Sequence, residues 1–295
     1  MFGEFQRAAV APFKEGEDVW EILGRFQVAL TSMGMFLTLF HVLKYIVYPR
    51  VSSTFLSLGK VDQFRWCEKT LSITHATMAT VGAIASTYAT IQTFSDGLNS
   101  QQNYDEVLAG APQPLHRDMW IQISIGYFLS DLVLYCIPPF HHTVPEYLHH
   151  VVAACSYGLG VYFQWGTWIQ INFLINELST PFLQFTWFFR FMNLRHTPID
   201  KASRVAFALL FFISRIVWNT VFCWWVFRAV QTVVIPPRVI PYVFWIQVVL
   251  ISAHCSLQYF WFYKIVQIFV AGKAEDKVMG VDETKAEAAA KIKNQ

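Results

Sequence analysis

Charge is scarce in this sequence. Only 14% of its 295 residues are Asp, Glu, Lys or Arg, against 55% hydrophobic and 17% aromatic. Soluble domains carry about 25% charged residues, so an ordinary water-facing surface is excluded, and the mean hydropathy of +0.37 agrees. Excess charge of one sign is missing too. The net charge of +2 leaves no basic stripe outside loop ends, which excludes nucleic acid as a partner. Cysteine is sparse and scattered: Cys67, Cys136, Cys155, Cys223 and Cys255 show no CxxC spacing, so they read as small apolar-run residues, not as a disulfide framework or zinc site. No P-loop, GxSxG, GxGxxG or HExxH pattern occurs, which removes motif support for nucleotide, serine-hydrolase and zinc-protease chemistry. The first 25 residues hold Glu15, Glu17, Asp18 and Glu21 where a signal peptide needs an apolar stretch, so the first span is expected to target the chain.

Long apolar runs are abundant. A spanning helix needs about 20 mostly apolar residues, and seven candidates follow: 26–48, 70–94, 119–140, 147–164, 167–190, 205–230 and 240–270. The short alternating segments of a β-barrel are absent. The expected fold is therefore all-α, a polytopic transmembrane bundle of about seven spans, with small-residue stretches such as "ATMATVGAIAST" (76–87) suited to close helix packing.

Loop charge predicts orientation. Arg50, Lys60, Arg65 and Lys69 lie between spans one and two, Arg190, Arg195, Lys201 and Arg204 between five and six, and Lys264, Lys273 and Lys277 at the start of the tail. The loop 95–118 has Arg117 alone beside Asp96, Asp105, Glu106 and Asp118. Positive loops stay cytosolic, so the C-terminus is expected in the cytosol and the N-terminus on the other side. The closing "KIKNQ" puts Lys291 and Lys293 five and three positions from the end, like a dilysine retrieval signal, and predicts the endoplasmic reticulum membrane.

Within the apolar runs stand a few costly groups: His75, Asp131, His149, His150, Glu177, Arg215 and His254. A charge at mid-bilayer costs about 2.5–3.5 kcal/mol on insertion scales. One group from nearly every span predicts a shared polar interior. Spacing agrees: Tyr127, Asp131 and Tyr135 share a face; so do Asn172 and Asn176, with Glu177 adjacent; Arg215 and Asn219; and Gln247, Ile251, His254 and Gln258. Pro181, four after Glu177, is expected to bend its helix and free carbonyls inward. Plainer readings stand beside this one. Asp131 pairs with Arg215 as a structural ion pair, His149 and His150 rest at the headgroup level, or His254 is a hydrogen-bonded core residue. No resident metal is expected, because adjacent histidines point about 100° apart on a helix.

The stretch "LSDLVLYCI…HHTVPEYLHHVVAACSYGLG…INELSTPFLQFTWFFRFMNL" (129–194), with "SITHATMATVGAI" (72–84), resembles the TLC-domain family, over roughly 60–270 and most closely its small type-four group. That family includes ceramide synthases, whose paired histidines and two acids on the next helix serve fatty-acyl transfer from acyl-CoA. The resemblance carries the pair onto His149 and His150 and the first acid onto Glu177; the second falls at Thr180, which is not acidic, and the homeobox-like segment of many ceramide synthases is missing.

The chain is accordingly divided into a polar N-terminal segment (1–25), a first transmembrane helix and loop (26–59), a TLC domain with a six-helix core (60–270) and a polar cytosolic tail (271–295). His149, His150 and Glu177 are the catalytic candidates: an imidazole as base or acyl acceptor, and a carboxylate to orient it. His75, Asp131, Asn176, Arg215 and His254 are the substrate-binding candidates, with His75 or Arg215 holding a headgroup phosphate or polarising an acyl carbonyl. Membrane lipids are the expected partners, acyl-CoA the expected substrate of a catalytic version, and no bound cofactor is expected. The readings are a lipid-metabolic protein with acyl transfer, a non-enzymatic lipid sensor or assembly factor, and a seven-helix transporter or receptor. Nothing in the sequence specifies the oligomeric state.

Overall fold

A computed structural model of the chain describes residues 19–93, 117–138, 142–163, 165–230 and 242–271. The acidic residues at 15–18, most of the loop 95–118, and the tail with its closing "KIKNQ" lie outside the described residues. Those described are helical, with no strand among them. We number the helices α1 (Val19–Arg25), α2 (Gln27–Val51), α3 (Ser53–Ser57), α4 (Lys60–Thr93), α5 (Arg117–Tyr135), α6 (Val144–Phe163), α7 (167–191), α8 (198–230) and α9 (Tyr242–Ala271). Every predicted span falls on one of these rods. Among the described residues, three helices are long and apolar enough to cross a membrane by length and composition alone: Gln27–Val51, Pro198–Arg228 and Val243–Gln267. The other long rods carry polar groups turned inward, which dilute their hydropathy.

Burial is inverted relative to a water-soluble protein. Met35, Trp224 and Val249 face outward, while Asp131, Glu177, Arg215, Gln247 and Gln258 are buried. Hydrocarbon cannot satisfy such groups, so the helices turn them toward one another.

Three rods depart from regular α geometry, each at an identifiable residue. In α2 a π turn (Leu43–Val47) precedes Pro49, whose missing N–H and bulky ring rule out an ordinary helical bond there. In α7 the α segment Thr167–Phe173 passes into a 3-10 segment, Leu174–Ser179, before α geometry resumes at Thr180–Phe191. Pro181 thus sits in the first turn of a new α segment, where its missing donor costs nothing. The expected release of the Glu177 carbonyl does not occur, because the Thr180 N–H takes it. In α8 a π turn, Phe212–Val217, carries Arg215.

Two segment boundaries also differ from expectation. The last seven residues of the N-terminal segment form α1, and Arg25 ties it to α6 by a 3.3 Å hydrogen bond to the Tyr162 carbonyl. The basic stretch 49–69 is largely helical, with α4 beginning at Lys60, so Arg65 and Lys69 lie one turn apart on a helix instead of in a loop.

Glycine sets the closest helix contact. A Cβ on Gly126 of α5 would stand 2.5 Å from the Ala29 carbonyl oxygen and 2.7 Å from the Met33 nitrogen of α2. The two backbones therefore touch, as small residues allow in membrane bundles. This contact holds α2 against the helix that carries Tyr127 and Asp131.

Candidate functional site

Thr143, just before α6, donates both its backbone N–H (2.6 Å) and its hydroxyl (2.9 Å) to the Glu146 carboxylate. This anchors the start of α6 and places His149 and His150 on its second turn, against α5. Tyr135 and His150 meet at 3.1 Å through the phenol and Nε2, and Nδ1 of His150 stands 3.7 Å from Asp131. Tyr127 and Tyr135 lie four residues to either side of Asp131 on one buried face of α5, as their spacing predicts. His149 points elsewhere. Its ring lies 5.6 Å from that of His254 and 5.3 Å from that of Trp261, and it is nearly perpendicular to His150.

The 3-10 segment of α7 and the π turn of α8 face each other. Arg215 donates from Nε to Ser179 Oγ (3.1 Å), from Nη1 to Gln258 Oε1 (2.9 Å) and from Nη2 to Thr180 Oγ1 (2.9 Å). Thr180 in turn donates to Glu177 at 2.7 Å, and Arg215 stands 3.9 Å from that carboxylate. A buried guanidinium is tolerable only with its charge balanced and its donors filled, and this cage does both. The amide nitrogens of Asn176 (3.0 Å) and Gln258 (3.3 Å) converge on Nε2 of His254, which accepts.

These groups surround two spaces of about 390 Å³ each. The polar cavity is lined by His142, His149, His150, Glu177, Thr180 and Arg215, with Arg65, Lys69 and Lys264 contributing cations. The second cavity lies between the start of α7, the end of α8 and the first half of α9. Its lining is mostly apolar, including Trp165, Phe173, Phe227, Phe244 and Ile251. Along α7 and α9 the two are separated by the level of Asn176, His254 and Gln258.

His149, His150, Glu177 and Arg215 thus come together from α6, α7 and α8 at one cavity. Asp131 stands behind His150. His254 and Asn176 belong to the layer between the two cavities and line neither. His75 lines neither as well: its ring stacks on Tyr127 at 3.9 Å, with Phe36 and Phe128 edge-on. Asn219, four residues from Arg215, is buried as their shared face predicts and lines neither cavity.

Two local expectations are corrected. Arg215 pairs with Glu177, not Asp131, because the two helices carrying Arg215 and Glu177 face one another at the 3-10 segment. Glu177 accepts from Thr180 and makes no hydrogen bond to the histidine pair; the carboxylate beside His150 is Asp131, at 3.7 Å. Thr180, at the place of a second acid, bridges the first acid to the guanidinium. Sequence reasoning missed Glu68 and His142, which meet at 3.0 Å on the cavity wall. Glu68 is hidden in a basic stretch, and His142 is the less conspicuous member of "HHTVPEYLHH".

A bundle with its polar groups inside, its apolar side chains outside and long apolar rods is built as a helical membrane protein. The family model for the TLC domain matches residues 65–267. The chain belongs to the TLC-domain family. Among curated proteins it is 29% identical over 199 residues to TLC domain-containing protein 4-B of Xenopus laevis, covering 64% of this chain and 68% of that one. It is 30% identical over 193 residues to TLC domain-containing protein 4 of Xenopus tropicalis, covering 61% and 66%. Protein 4-A of Xenopus laevis is 29% identical over 208 residues, covering 66% and 72%. No solved structure matches the chain.

Proposed function

We propose that this chain is a multi-pass protein of the endoplasmic reticulum membrane that takes up a lipid and acts in sphingolipid or phospholipid homeostasis. Its headgroup enters the polar cavity, and fatty-acyl transfer from acyl-CoA is the chemistry of that cavity. The observation that supports this reading is the meeting of His149, His150, Glu177 and Arg215 at one cavity. His149 and His150 supply imidazole nitrogens as base or acyl acceptor, and the Arg215 donors polarise a carbonyl or hold a phosphate oxygen. The apolar cavity accommodates hydrocarbon. The basic residues Arg65, Lys69 and Lys264 on the polar wall support a cytosolic position for that cavity under the positive-inside rule, the side on which acyl-CoA is found.

The test is mass spectrometry of lipids co-purifying with the full chain, combined with acyl-CoA turnover by wild type and by His149→Ala, His150→Ala and Glu177→Ala variants. Loss of turnover by about a hundredfold or more in a histidine variant that still binds lipid is the expected result. Undiminished turnover in all three excludes chemistry at this site. A second reading, a lipid sensor or assembly factor without turnover, is favoured by one observation: Glu177 accepts from Thr180, stands 3.9 Å from Arg215 and makes no hydrogen bond to either histidine of the pair. Bound lipid without turnover selects it.

A further inference from the structure

The apolar cavity carries one piece of chemistry that the polar cavity lacks, a pair of thiols. Cys223 of α8 and Cys255 of α9 both line it, and their Sγ atoms stand 3.8 Å apart. Both are free and half-buried, and both pack against the cluster of Trp168, Ile169, Phe173 and Phe222. Among the wall residues of α8, Cys223 lies deepest, ahead of Val226 and Phe227; among those of α9, which run from Phe244, Cys255 lies deepest. About one turn further in, the hydroxyls of Thr220 and Tyr259 meet at 2.6 Å. The thiols therefore mark the inner end of the cavity, where α8 and α9 come together. The other cysteines are placed differently: Cys136 and Cys155 are exposed, Cys67 is buried, and none of the three lines either cavity.

We infer that Cys223 and Cys255 are a dithiol that a hydroperoxide on a hydrocarbon body oxidises to a disulfide inside this cavity. The inference rests on the reading that the apolar cavity takes hydrocarbon. Apolar surface leaves water favourably, so an apolar wall selects an oxidant carried on hydrocarbon over one carried in water. One sulfur attacks the terminal oxygen of the O–O bond. That bond breaks, the sulfur becomes a sulfenic acid, and the thiol proton leaves with the alkoxide as an alcohol. The second sulfur then attacks the first, the S–O bond breaks, and the second thiol proton leaves with hydroxide as water. Two thiols lose two electrons, and the O–O bond takes them. Sulfurs already 3.8 Å apart make the second step intramolecular. The disulfide ties α8 to α9 at the inner end of the cavity.

The experiment uses the reduced full chain in nanodiscs of saturated phospholipid. It is treated with cumene hydroperoxide or hydrogen peroxide, and peptide mass spectrometry without reductant reads every cysteine. Each rate is divided by that of glutathione with the same oxidant, which removes the difference in intrinsic reactivity. The Cys223–Cys255 link is expected as the main product, forming at least about tenfold faster, on this scale, with cumene hydroperoxide than with hydrogen peroxide. Excess hexadecane, which occupies the cavity without oxidising, should slow the link about tenfold. Cys223→Ser and Cys255→Ser should each abolish the link and leave the remaining thiol as a sulfenic acid that dimedone traps. The wild-type arms need no variant, so a misfolded variant does not shield the proposal. Retention of hexadecane by the protein with no Cys223–Cys255 link from either oxidant overturns the dithiol and leaves the hydrocarbon reading standing. A link formed equally fast by both oxidants and unaffected by hexadecane overturns the hydrocarbon reading and, with it, the proposal.

Discussion

The two cavities have the same volume, about 390 Å³, and opposite linings. The polar one is walled by groups that each need a partner, so its shape is held by directional bonds: Arg215 alone ties Ser179, Thr180 and Gln258 together. The apolar one is walled by Trp165, Phe173, Phe227, Phe244 and Ile251, which fit by volume and have no such obligation. One cavity should therefore be sensitive to charge and the other to size.

The largest expected effect comes from unbalancing the polar wall. Arg215→Met leaves Glu177 buried without its cation and should destabilise the protein by about 3–5 kcal/mol, read as thermal unfolding in detergent. Adding Glu177→Gln should recover much of that loss; an unchanged double variant breaks the claim that charge holds this wall. Gly126→Val pushes α2 off α5 and should cost about 1–3 kcal/mol through overpacking, by the same measurement. Loss of one hydrogen bond in Tyr135→Phe should cost about 1 kcal/mol, a charge-neutral change that calibrates the first. Ile251→Trp should change stability least, by less than about 1.5 kcal/mol, while lowering the amount of lipid that co-purifies. If this variant unfolds the protein, or leaves bound lipid undiminished, the contrast between the cavities fails.

The same contrast explains what was legible in the sequence. Polar residues inside apolar runs stand out, and helical periodicity assigns them to faces. Gln247, Ile251, His254 and Gln258 all turn inward as their offsets predict, and Tyr127, Asp131 and Tyr135 share one buried face. The apolar cavity was not legible, because its phenylalanines and tryptophans resemble those facing lipid; only packing distinguishes them. Partner choice was less legible than inward orientation. The sequence offered Asp131 as the partner of Arg215, whereas the guanidinium meets Glu177 where 3-10 and π segments alter helical phase locally. Glu68 escaped notice because the start of α4 falls within a stretch whose charge reads as a loop, so its face could not be assigned.

The wide turn at Phe212–Val217 ties the fate of Arg215 to chain length as well as to residue identity. Deleting one residue from the ordinary α stretch beside that turn, with the turn itself kept, rotates the two halves of α8 against each other by about 100°. Either the guanidinium would then swing out toward the acyl chains, or the Trp218–Val230 half would present a different stripe to its neighbours. Relatives that keep an arginine here are thus expected to tolerate substitutions around it far better than a one-residue gap.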